Sequence, residues 1–357
     1  MSDTKKCTVS FIIPSLSSGG AERVVANLAN QFVADGYNVI IYTILDDKET
    51  YAIRPEVKHI YLNVNCRSKV LRILKRFFKL HKYVKFDESQ CIIAFDRYYG
   101  ICSALRCGKK VIGSERNDPY SNMSEHSFQK YFRDYLYNRV NYMVFQTVYA
   151  QQYFSDKIQK HSTIIPNPIT TDILPELFSG TRKKNIYTAC RLTEQKNIPM
   201  MIEAFARFST THPDYTFTIY GDGPLKETIK KQIHMLKMDE KIKLAGYTDN
   251  LPQKVRDAGM FLSSSNYEGI SNAMLEALAM GIPSVCTDCP AGGAAAVIQN
   301  GINGYLVPVG DTQAMLQAMC RIADNHELAK SFSLEAIKVR DTYAIKEIAA
   351  MWEEILQ

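Results

Sequence analysis

The segment from residue 263 to residue 285 reads SSSNYEGISNAMLEALAMGIPSV, and the order of its elements indicates the architecture of the chain. The pattern predicts a strand that ends near Ser264, followed by a polar loop. Ser271 or Asn272 is placed to cap a helix that runs to Met280, where the next Gly and Pro stop it. A strand, a loop and a helix in that order are typical of βαβ units, so the segment predicts a parallel sheet.

The same alternation of short apolar runs and helical segments extends along all 357 residues. Five strands are predicted in each half, and each half opens with a strand, a turn and an amphipathic helix. We therefore expect an α/β protein with two doubly wound, Rossmann-like domains, residues 1–165 and 185–340, joined by a linker at 166–184. Because ligands bind beyond the carboxyl ends of parallel strands, the chemistry is expected in a central cleft that both domains face.

Composition disfavours several other classes of protein. Hydrophobic residues make up 46% of the chain and charged residues 22%, which is unlike collagen-like, disordered or polytopic membrane proteins. No apolar run approaches the roughly 18 residues of a membrane span, and the residues after Met1 lack the pattern of a secretory signal. Nine cysteines, an odd number, indicate reduced thiols in a cytoplasmic protein. Cys286 and Cys289 form a C-x-x-C without a second pair, so we expect a structural role for them.

Two carboxylates flank the predicted helix start in the opening segment. Unpaired backbone amides from about Ile270 to Ala273 would form an anion site there. Glu268 precedes the helix and Glu276 lies on it, so one carboxylate can face a reacting centre while the other accepts hydrogen bonds from hydroxyl groups. The alternative is that Glu276 is a solvated helix residue and Glu268 a loop charge.

Two cations follow the predicted strand NIYTAC. Arg191 offers a planar fork and Lys196 a compact charge, a combination that suits the two phosphates of a nucleotide diphosphate. An isolated pair of this kind is more often a pair of surface charges. Their position at the same sheet edge as Glu268 favours phosphate binding.

Glycines mark three further turns. Gly19 and Gly20, in SSGGAE, lie between the first strand and the first helix, where backbone can approach a ligand closely. The spacing is not G-x-G-x-x-G, and no acidic ribose ligand follows the second strand in the expected context, so a dinucleotide-dependent dehydrogenase is disfavoured. The turns at Gly223 and Gly246 are either ordinary turns or walls of a nucleotide site.

Six motifs together resemble glycosyltransferase family 4, whose members are retaining enzymes of the GT-B fold: GGAERVV, RLTEQKN, IYGDGPL, LAGYTDN, EGISNAMLE and NGINGYLVP. The motifs occur in the family's order and span nearly the whole chain. The resemblance implies an acceptor-binding first domain and a second domain that holds a nucleotide-sugar donor, as in bacterial polysaccharide-assembly glycosyltransferases. It also implies that residues 341–357, around Trp352, form a helix that packs back on the first domain.

The resemblance assigns roles to individual positions. Arg191 and Lys196 would hold the donor diphosphate, and Glu268 would contact the donor sugar near the reacting carbon, which makes these three the expected catalytic residues. Glu276 would bind the ribose hydroxyl groups. The other implied donor-binding positions are Gly19, Gly20, Gly223, Gly246, Tyr247, Gly269, Ile270, Ser271 and Asn272. Three roles stay open for Glu268: nucleophile, electrostatic stabiliser or ligand of a sugar hydroxyl.

Metal and cofactor are not expected. The sequence contains no D-x-D triplet, which fits a metal-independent GT-B site with the nucleotide diphosphate sugar as co-substrate. Fixed cations and helix amides would stabilise the negative charge that develops on the leaving diphosphate.

The loop VIGSERNDPYS departs from many relatives, which place a histidine there. Its E-R-N segment resembles a subset of the family whose acceptors are carried on polyprenyl diphosphate. Arg116 and Asn117 are therefore expected to contact the acceptor or the donor sugar. A loop braced by salt bridges is the alternative.

Positive charge is concentrated in residues 67–85, where eight Lys or Arg residues occur without an acid and exceed the whole chain's net charge of +6. Apolar positions recur there at helical spacing: Val70, Leu74, Phe77, His81 and Val84. The pattern predicts a basic amphipathic helix that binds an anionic membrane surface. A solvated helix on its own sheet and a nucleic-acid contact are the alternatives, of which nucleic acid is not the expected partner.

Together these features predict a retaining hexosyl- or N-acetylhexosaminyltransferase, with UDP the favoured nucleotide, at the inner face of the cytoplasmic membrane. Its acceptor would be a lipid-linked saccharide of cell-surface polysaccharide biosynthesis. The alternatives are another GT-B nucleotide-sugar enzyme, such as an epimerase, and a non-catalytic sugar-nucleotide-binding module.

Overall fold

The computed structural model describes residues 6–17, 19–96, 98–116, 118–119 and 128–357. By its internal contacts the chain forms two compact units. The first unit consists of Met1–Pro168 with Ile345–Gln357, and the second consists of Ile169–Ala344. Each unit contains one parallel sheet with helices, so the expected α/β class is confirmed.

The first unit has a seven-stranded sheet of order β3-β2-β1-β4-β5-β6-β7. Its strands are β1 (Thr8–Ile13), β2 (Asn38–Thr43), β3 (Lys58–Tyr61), β4 (Cys91–Ala94), β5 (Lys110–Ser114), β6 (Tyr142–Phe145) and β7 (Ser162–Ile164). Its helices up to the second unit are α1 (Gly20–Ala34), α2 (Lys69–Phe86), α3 (Tyr99–Ala104), α4 (Phe128–Tyr137), α5 (Val148–Gln152) and α6 (Asp156–Gln159). The order reverses direction beside β1, as in a Rossmann fold.

The second unit has a six-stranded sheet of order β10-β9-β8-β11-β12-β13. Its strands are β8 (Lys183–Ala189), β9 (Thr216–Tyr220), β10 (Ile242–Gly246), β11 (Ala258–Ser263), β12 (Ser284–Asp288) and β13 (Tyr305–Pro308). Its helices are α7 (Ile198–Thr211), α8 (Lys226–Met235), α9 (Leu251–Val255), α10 (Asn272–Ala279), α11 (Thr312–Asp324), α12 (His326–Ala336) and α13 (Val339–Thr342). One-turn 3-10 helices occur at Thr171–Ile173 and Glu194–Lys196.

The last helix, α14 (Ile345–Glu354), packs against α1 in the first unit. Trp352 is fully buried there, and its ring lies on that of Phe95 with centroids 6.1 Å apart. The central strand β1, TVSFII, is buried along its whole length because a parallel sheet is covered on both faces.

Three strands were not predicted from the sequence: β3, β7 and β13. All three lie at sheet edges, where only one side of the strand is paired. They are three or four residues long and only partly buried, so each gives a shorter sequence signal than a central strand. None of the helices in the described parts of the chain is both long enough and apolar enough to cross a membrane.

Candidate active site

The opening segment forms the predicted strand, loop and helix at the carboxyl end of β11. The strand ends at Ser263, and α10 runs from Asn272 to Ala279 with Ser271 as its N-cap. The Ser271 hydroxyl makes no capping hydrogen bond to the described residues, so it is not committed to the helix end. Because the first-turn amides of a helix carry partial positive charge, this end of α10 suits an anion.

Lys196, in the turn after β8, forms an ion pair with Glu268, in the loop before α10. Their side chains are 16% and 22% exposed, so the pair is mostly shielded from water. Burial acts to lower the pKa of Lys196, but the charge and hydrogen bond of Glu268 outweigh it and raise that pKa above its ordinary value. The site therefore holds a protonated lysine at neutral pH.

A tight turn places Lys196 beside this loop. The chain leaves β8, makes a single 3-10 turn at Glu194–Lys196 and then passes through Asn197 with a left-handed backbone, φ 42°. The Gln195 amide donates to the carbonyl oxygen of Tyr267 at 2.9 Å, and the Asn266 N–H donates to the carbonyl oxygen of Gln195 at 2.8 Å. These bonds fasten the lysine turn to the glutamate loop.

The turn after β9 packs directly on the turn that carries Arg191. A Cβ at Gly223 would lie 2.5 Å from the carbonyl oxygen of Leu192, so only glycine fits there. Arg191 itself is exposed. The Gly221 N–H donates to the carbonyl oxygen of Gly246 at 2.8 Å, which brings the predicted donor turns together at one sheet edge.

The remaining predicted donor residues of the second unit lie on or near the same edge. Tyr247 follows β10 and is 58% exposed. Gly269 and Ile270 lie in the loop before α10, where Ile270 is buried. Glu276 lies on α10, only 6% exposed, and its charge adds to burial in raising the pKa of Tyr187.

One part of the site was missed by the sequence analysis. The loop after β12 packs against Glu268 from both sides, because the Glu268 N–H donates to Pro290 O at 3.0 Å and the Gly293 N–H donates to Glu268 O at 3.3 Å. A Cβ at Gly293 would lie 1.9 Å from the carbonyl oxygen of Gly269. A Gly-Gly pair after a strand was the local signal for this loop.

Two arginines cap the other end of α10. Arg340 donates to the carbonyl oxygen of Ala279 at 2.6 Å, and Arg182 donates to those of Met280 and Gly281 at 2.9 and 2.6 Å. The cations complement the negative end of the helix dipole and fix its direction. They are 61 and 98–99 residues from these carbonyls, so no local pattern indicates the contact.

Cysteines also lie close to the ion pair. Cys190 follows β8 and Cys289 follows β12, and burial raises the pKa of each thiol to about 11. Both are therefore protonated near neutral pH. All nine cysteines of the chain, each in a described part, are free thiols.

In the first unit, Gly19 is the N-cap of α1 and Gly20 its first residue. The Tyr51 hydroxyl donates to the carbonyl oxygen of Gly19 at 3.0 Å, which fixes this turn. A Cβ at Gly19 would lie 2.1 Å from the carboxylate of Glu22, a flexible side chain.

Arg116 is held between two aromatic rings in the first unit. Its guanidinium lies 5.2 Å from the ring centroid of Phe95 and 5.5 Å from that of Trp352. It donates to the Ser114 hydroxyl at 2.7 Å and to the Asn167 side-chain oxygen at 3.2 Å. Burial lowers the pKa of Arg116 to about 9. Asn117, predicted with it, lies outside the described residues.

Two family models match the chain on either side of residue 180. The model described as Glycosyltransferase Family 4 matches residues 18–173, and the model described as Glycosyl transferases group 1 matches residues 183–325. The chain belongs to glycosyltransferase family 4. This family-4 chain therefore carries both halves of a GT-B enzyme, as the motifs implied.

Individual relatives of the transferase agree with this membership. One relative is an N-acetylgalactosamine-N,N'-diacetylbacillosaminyl-diphospho-undecaprenol 4-alpha-N-acetylgalactosaminyltransferase of Campylobacter jejuni. The two proteins are 26% identical over 348 residues, and the match covers 91% of this chain and 93% of that protein. The transferase is 28% identical over 220 residues to an exopolysaccharide phosphotransferase of Streptomyces coelicolor, but this covers 60% of the chain and 23% of that protein. The transferase thus acts in glycan biosynthesis.

A solved structure agrees with the GT-B fold. The crystal structure of Anabaena HepE in complex with UDP and glucose has a TM-score of 0.83 to the transferase. The match covers 98% of this chain and 99% of that one, at 17% identity.

The basic helix of the transferase is α2. Its apolar residues divide differently from the single stripe that the sequence predicted: Leu80 and Val84 are buried in the first unit, while Val70 and Leu74 are 66% and 46% exposed. Further exposed hydrophobic residues of α2 are Leu71, Ile73, Phe78, Tyr83 and Phe86. Leu80 and Val84 anchor the helix, and exposed apolar and basic side chains occur along its whole length.

The aromatic helix α4 has a similar division. Leu136 and Tyr137 are buried in the first unit, whereas Phe128, Tyr131 and Tyr135 are 80%, 60% and 49% exposed. The helix therefore both fills the core and leaves an aromatic face uncovered by the described residues.

Proposed function

We propose that this transferase moves a hexose or N-acetylhexosamine, with retention of configuration, from a UDP-sugar to a saccharide carried on polyprenyl diphosphate. The observation that carries the proposal is the Lys196–Glu268 ion pair beside the start of α10. It combines, at one edge of one sheet, a cation for a phosphate, a carboxylate for a sugar and helix amides for an anion.

The charges of the second unit account for the chemistry of the leaving group. Breaking the sugar–phosphate bond leaves negative charge on the nucleoside diphosphate. Lys196, Arg191 and the first amides of α10 are positioned at one sheet edge and would stabilise that charge without a metal ion. The leaving phosphate would then assist deprotonation of the acceptor hydroxyl, which attacks from the same face of the sugar.

Glu268 would receive the donor sugar. Its Oε2 atom accepts hydrogen bonds from Lys196 and from the Ser265 hydroxyl. Oε1 accepts none from the described residues, so it is available to a sugar hydroxyl group near the reacting carbon. This geometry favours a sugar ligand or electrostatic stabiliser over a nucleophile, because the carboxylate is already neutralised by a cation.

Two comparisons support the choice of substrates. The Campylobacter jejuni relative is named for an undecaprenyl diphosphate acceptor and for transfer of N-acetylgalactosamine. HepE was crystallised with UDP. We accordingly propose UDP as the nucleotide, and an acceptor that is a saccharide on a polyprenyl diphosphate.

Helix α2 would bring the enzyme to such an acceptor. Lys69, Lys75, Lys82 and Lys85 are exposed on it, next to exposed apolar side chains. Each basic residue near an anionic bilayer contributes about 1 kcal/mol, and the apolar side chains can enter the headgroup region. We propose a peripheral position at the cytoplasmic face of the membrane, where polyprenyl-linked acceptors are extended.

A panel of UDP-sugars tests the donor assignment. UDP-glucose, UDP-galactose and their N-acetylated forms are tested for thermal stabilisation and for slow hydrolysis by the wild-type protein. We expect one of them to stabilise the protein and to be hydrolysed, and expect Glu268→Ala and Lys196→Ala to reduce hydrolysis by about a hundredfold or more. Lys184→Ala is the matched control, since Lys184 pairs with Asp214 on the surface at the start of β8.

The outcomes separate the candidate functions. Stabilisation without turnover, even with a polyprenyl-linked acceptor, would indicate a non-catalytic binding module. Isomerised nucleotide sugar would indicate an epimerase. Unchanged hydrolysis in both site variants would overturn the assignment of Lys196 and Glu268.

A further inference from the structure

Two adjacent serines support the two charged groups of the site separately. We propose that Ser265 positions the Glu268 carboxylate, whereas Ser264 positions Lys196, so that each serine controls a different step of the reaction. This inference rests on the proposed function, in which Lys196 binds the donor diphosphate and Glu268 the donor sugar.

Ser265 contacts the carboxylate directly. Its hydroxyl donates to Glu268 Oε2 at 3.0 Å, and the residue is only 2% exposed. Its backbone is fixed in turn, because the Thr287 hydroxyl donates to the carbonyl oxygen of Ser265 at 2.7 Å. Thr287 is on β12 and is also 2% exposed, so this support comes from a buried side chain on a strand of the sheet.

Ser264 faces the other partner of the ion pair. Its hydroxyl lies 2.9 Å from the carbonyl oxygens of both Lys196 and Asn197, to which it donates, and the residue is 1% exposed. These two carbonyls belong to the turn with the left-handed Asn197. Ser264 thus holds the backbone from which the lysine side chain extends, without touching the carboxylate.

The separation matters when the donor binds. A diphosphate carries more negative charge than a carboxylate, so it competes with Glu268 for the ammonium group of Lys196. Once Lys196 turns to the phosphates, the Ser265 hydroxyl is the group among the described residues that still donates a hydrogen bond to Glu268 Oε2. The carboxylate then keeps its direction, with Oε1 toward the sugar, although its ionic partner has moved.

The separate roles of the two serines predict that substitution of Ser265 changes mainly kcat and that substitution of Ser264 changes mainly KM and Kd. Ser265→Ala removes a hydrogen bond to the charged carboxylate of Glu268 and leaves the nucleotide site intact. We therefore expect kcat to fall by about tenfold or more. KM for the UDP-sugar and Kd for UDP should change less than about twofold. Ser264→Ala should instead raise Kd for UDP and KM by about tenfold, with a smaller effect on kcat.

The measurements use the full-length protein, titration calorimetry with UDP and hydrolysis of the UDP-sugar that turns over in the panel. Ser265→Thr keeps the hydroxyl and should restore kcat, and Ser265→Cys, of similar volume with a weaker donor, should be intermediate. If Thr is too large for this buried position, the order wild type, Cys, Ala still tests the hydrogen bond. Thermal unfolding shows that the variants are folded.

Equal effects of both alanine variants on kcat and KM would overturn the proposal, as would a Ser265→Ala variant with unchanged kcat. That failure is distinguishable from failure of the proposed function. If Glu268→Ala abolishes turnover and Ser265→Ala leaves kcat unchanged, only the positioning role is wrong, whereas an active Glu268→Ala variant would remove the donor-site assignment itself.

Discussion

Lys196 and Glu268 form a shielded ion pair although 72 residues separate them in the chain. The turn after β8 supplies the cation, and the loop after β11 supplies the carboxylate. These strands are neighbours in the sheet, so the two loops leave the same edge side by side. In the structure each group neutralises the other, and under the proposed function a diphosphate must displace the carboxylate from the lysine.

Removing the carboxylate's charge is therefore expected to tighten the binding of UDP while it damages transfer. For Glu268→Gln we predict a Kd for UDP about three- to tenfold lower than wild type, because Lys196 no longer has a competing partner. Titration calorimetry measures this directly. Glu194→Gln, an exposed residue of the same turn, is the control and should leave Kd unchanged. Weaker binding by the Glu268→Gln variant would show that the carboxylate does not compete with phosphate.

Gly293 should tolerate no side chain. Its added Cβ would lie 1.9 Å from the carbonyl oxygen of Gly269 and 2.6 Å from the amide nitrogen of Ile270, which are backbone atoms of the glutamate loop. Gly293→Ala should cost about 1–3 kcal/mol of unfolding free energy and reduce donor turnover at least about tenfold, since the loop must shift.

Gly301→Ala is the control for this prediction. Gly301 has a positive φ of 79° but open space around its Cβ position, so the change should cost about 1 kcal/mol and leave turnover intact. Denaturant unfolding and hydrolysis rates separate the two variants. Comparable turnover in both would argue against a rigid contact between the two loops.

Charge reversal on α2 tests the membrane contact without touching buried groups. Lys69, Lys75 and Lys82 are exposed, whereas Arg76 has a buried Nε atom and is better left unchanged. The triple change of these lysines to Glu should weaken binding to phosphatidylglycerol vesicles by at least about a hundredfold. Hydrolysis of soluble UDP-sugar should stay at the wild-type rate.

A matched reversal in the second unit controls for net charge. Lys230, Lys231 and Lys237 are exposed there, and changing them to Glu removes the same number of positive charges. Vesicle sedimentation should show little loss for this variant. If both triple variants lose binding equally, the effect comes from total charge and α2 is not the contact surface.

Asp87 makes the first unit sensitive to acid. It accepts hydrogen bonds from the Lys109 ammonium and from the hydroxyls of Ser10 and Tyr42, while its own side chain is 9% exposed. Burial acts to raise its pKa, but Lys109, Ser89 and Tyr42 outweigh it, so the pKa of Asp87 lies below the ordinary 3.8.

A lowered folded-state pKa gives stability that is present above the unfolded pKa and is lost as the pH falls through the folded value. Asp87→Asn should therefore be about 3 kcal/mol less stable than wild type near neutral pH, with the difference shrinking below 3.8. Urea unfolding across pH measures it. A difference that stays constant down to the lowest pH at which both proteins fold would contradict this account.

Local patterns predicted several of the elements that surround the proposed donor site. The helix α10 begins and ends close to where its sequence indicated, because its cap and its glycine stop lie within a few residues of it. The same holds for the glycine turn after β10, where the positive φ of Gly246, 72°, is a local requirement. Edge strands and the division of α2 were not predictable, because a short apolar pattern does not say which face another element will cover.

The order of motifs along the chain was thus enough to predict two parallel sheets and the family, and to choose the candidate residues of the proposed donor site. The folded chain added the partners: Lys196 for Glu268, two serines behind that pair, and Arg182 at the far end of α10. These contacts depend on which strands are neighbours in the sheet and on the conformations of the loops that follow the strands. Such contacts join residues tens of positions apart, and hydrophobic periodicity carries no information about them.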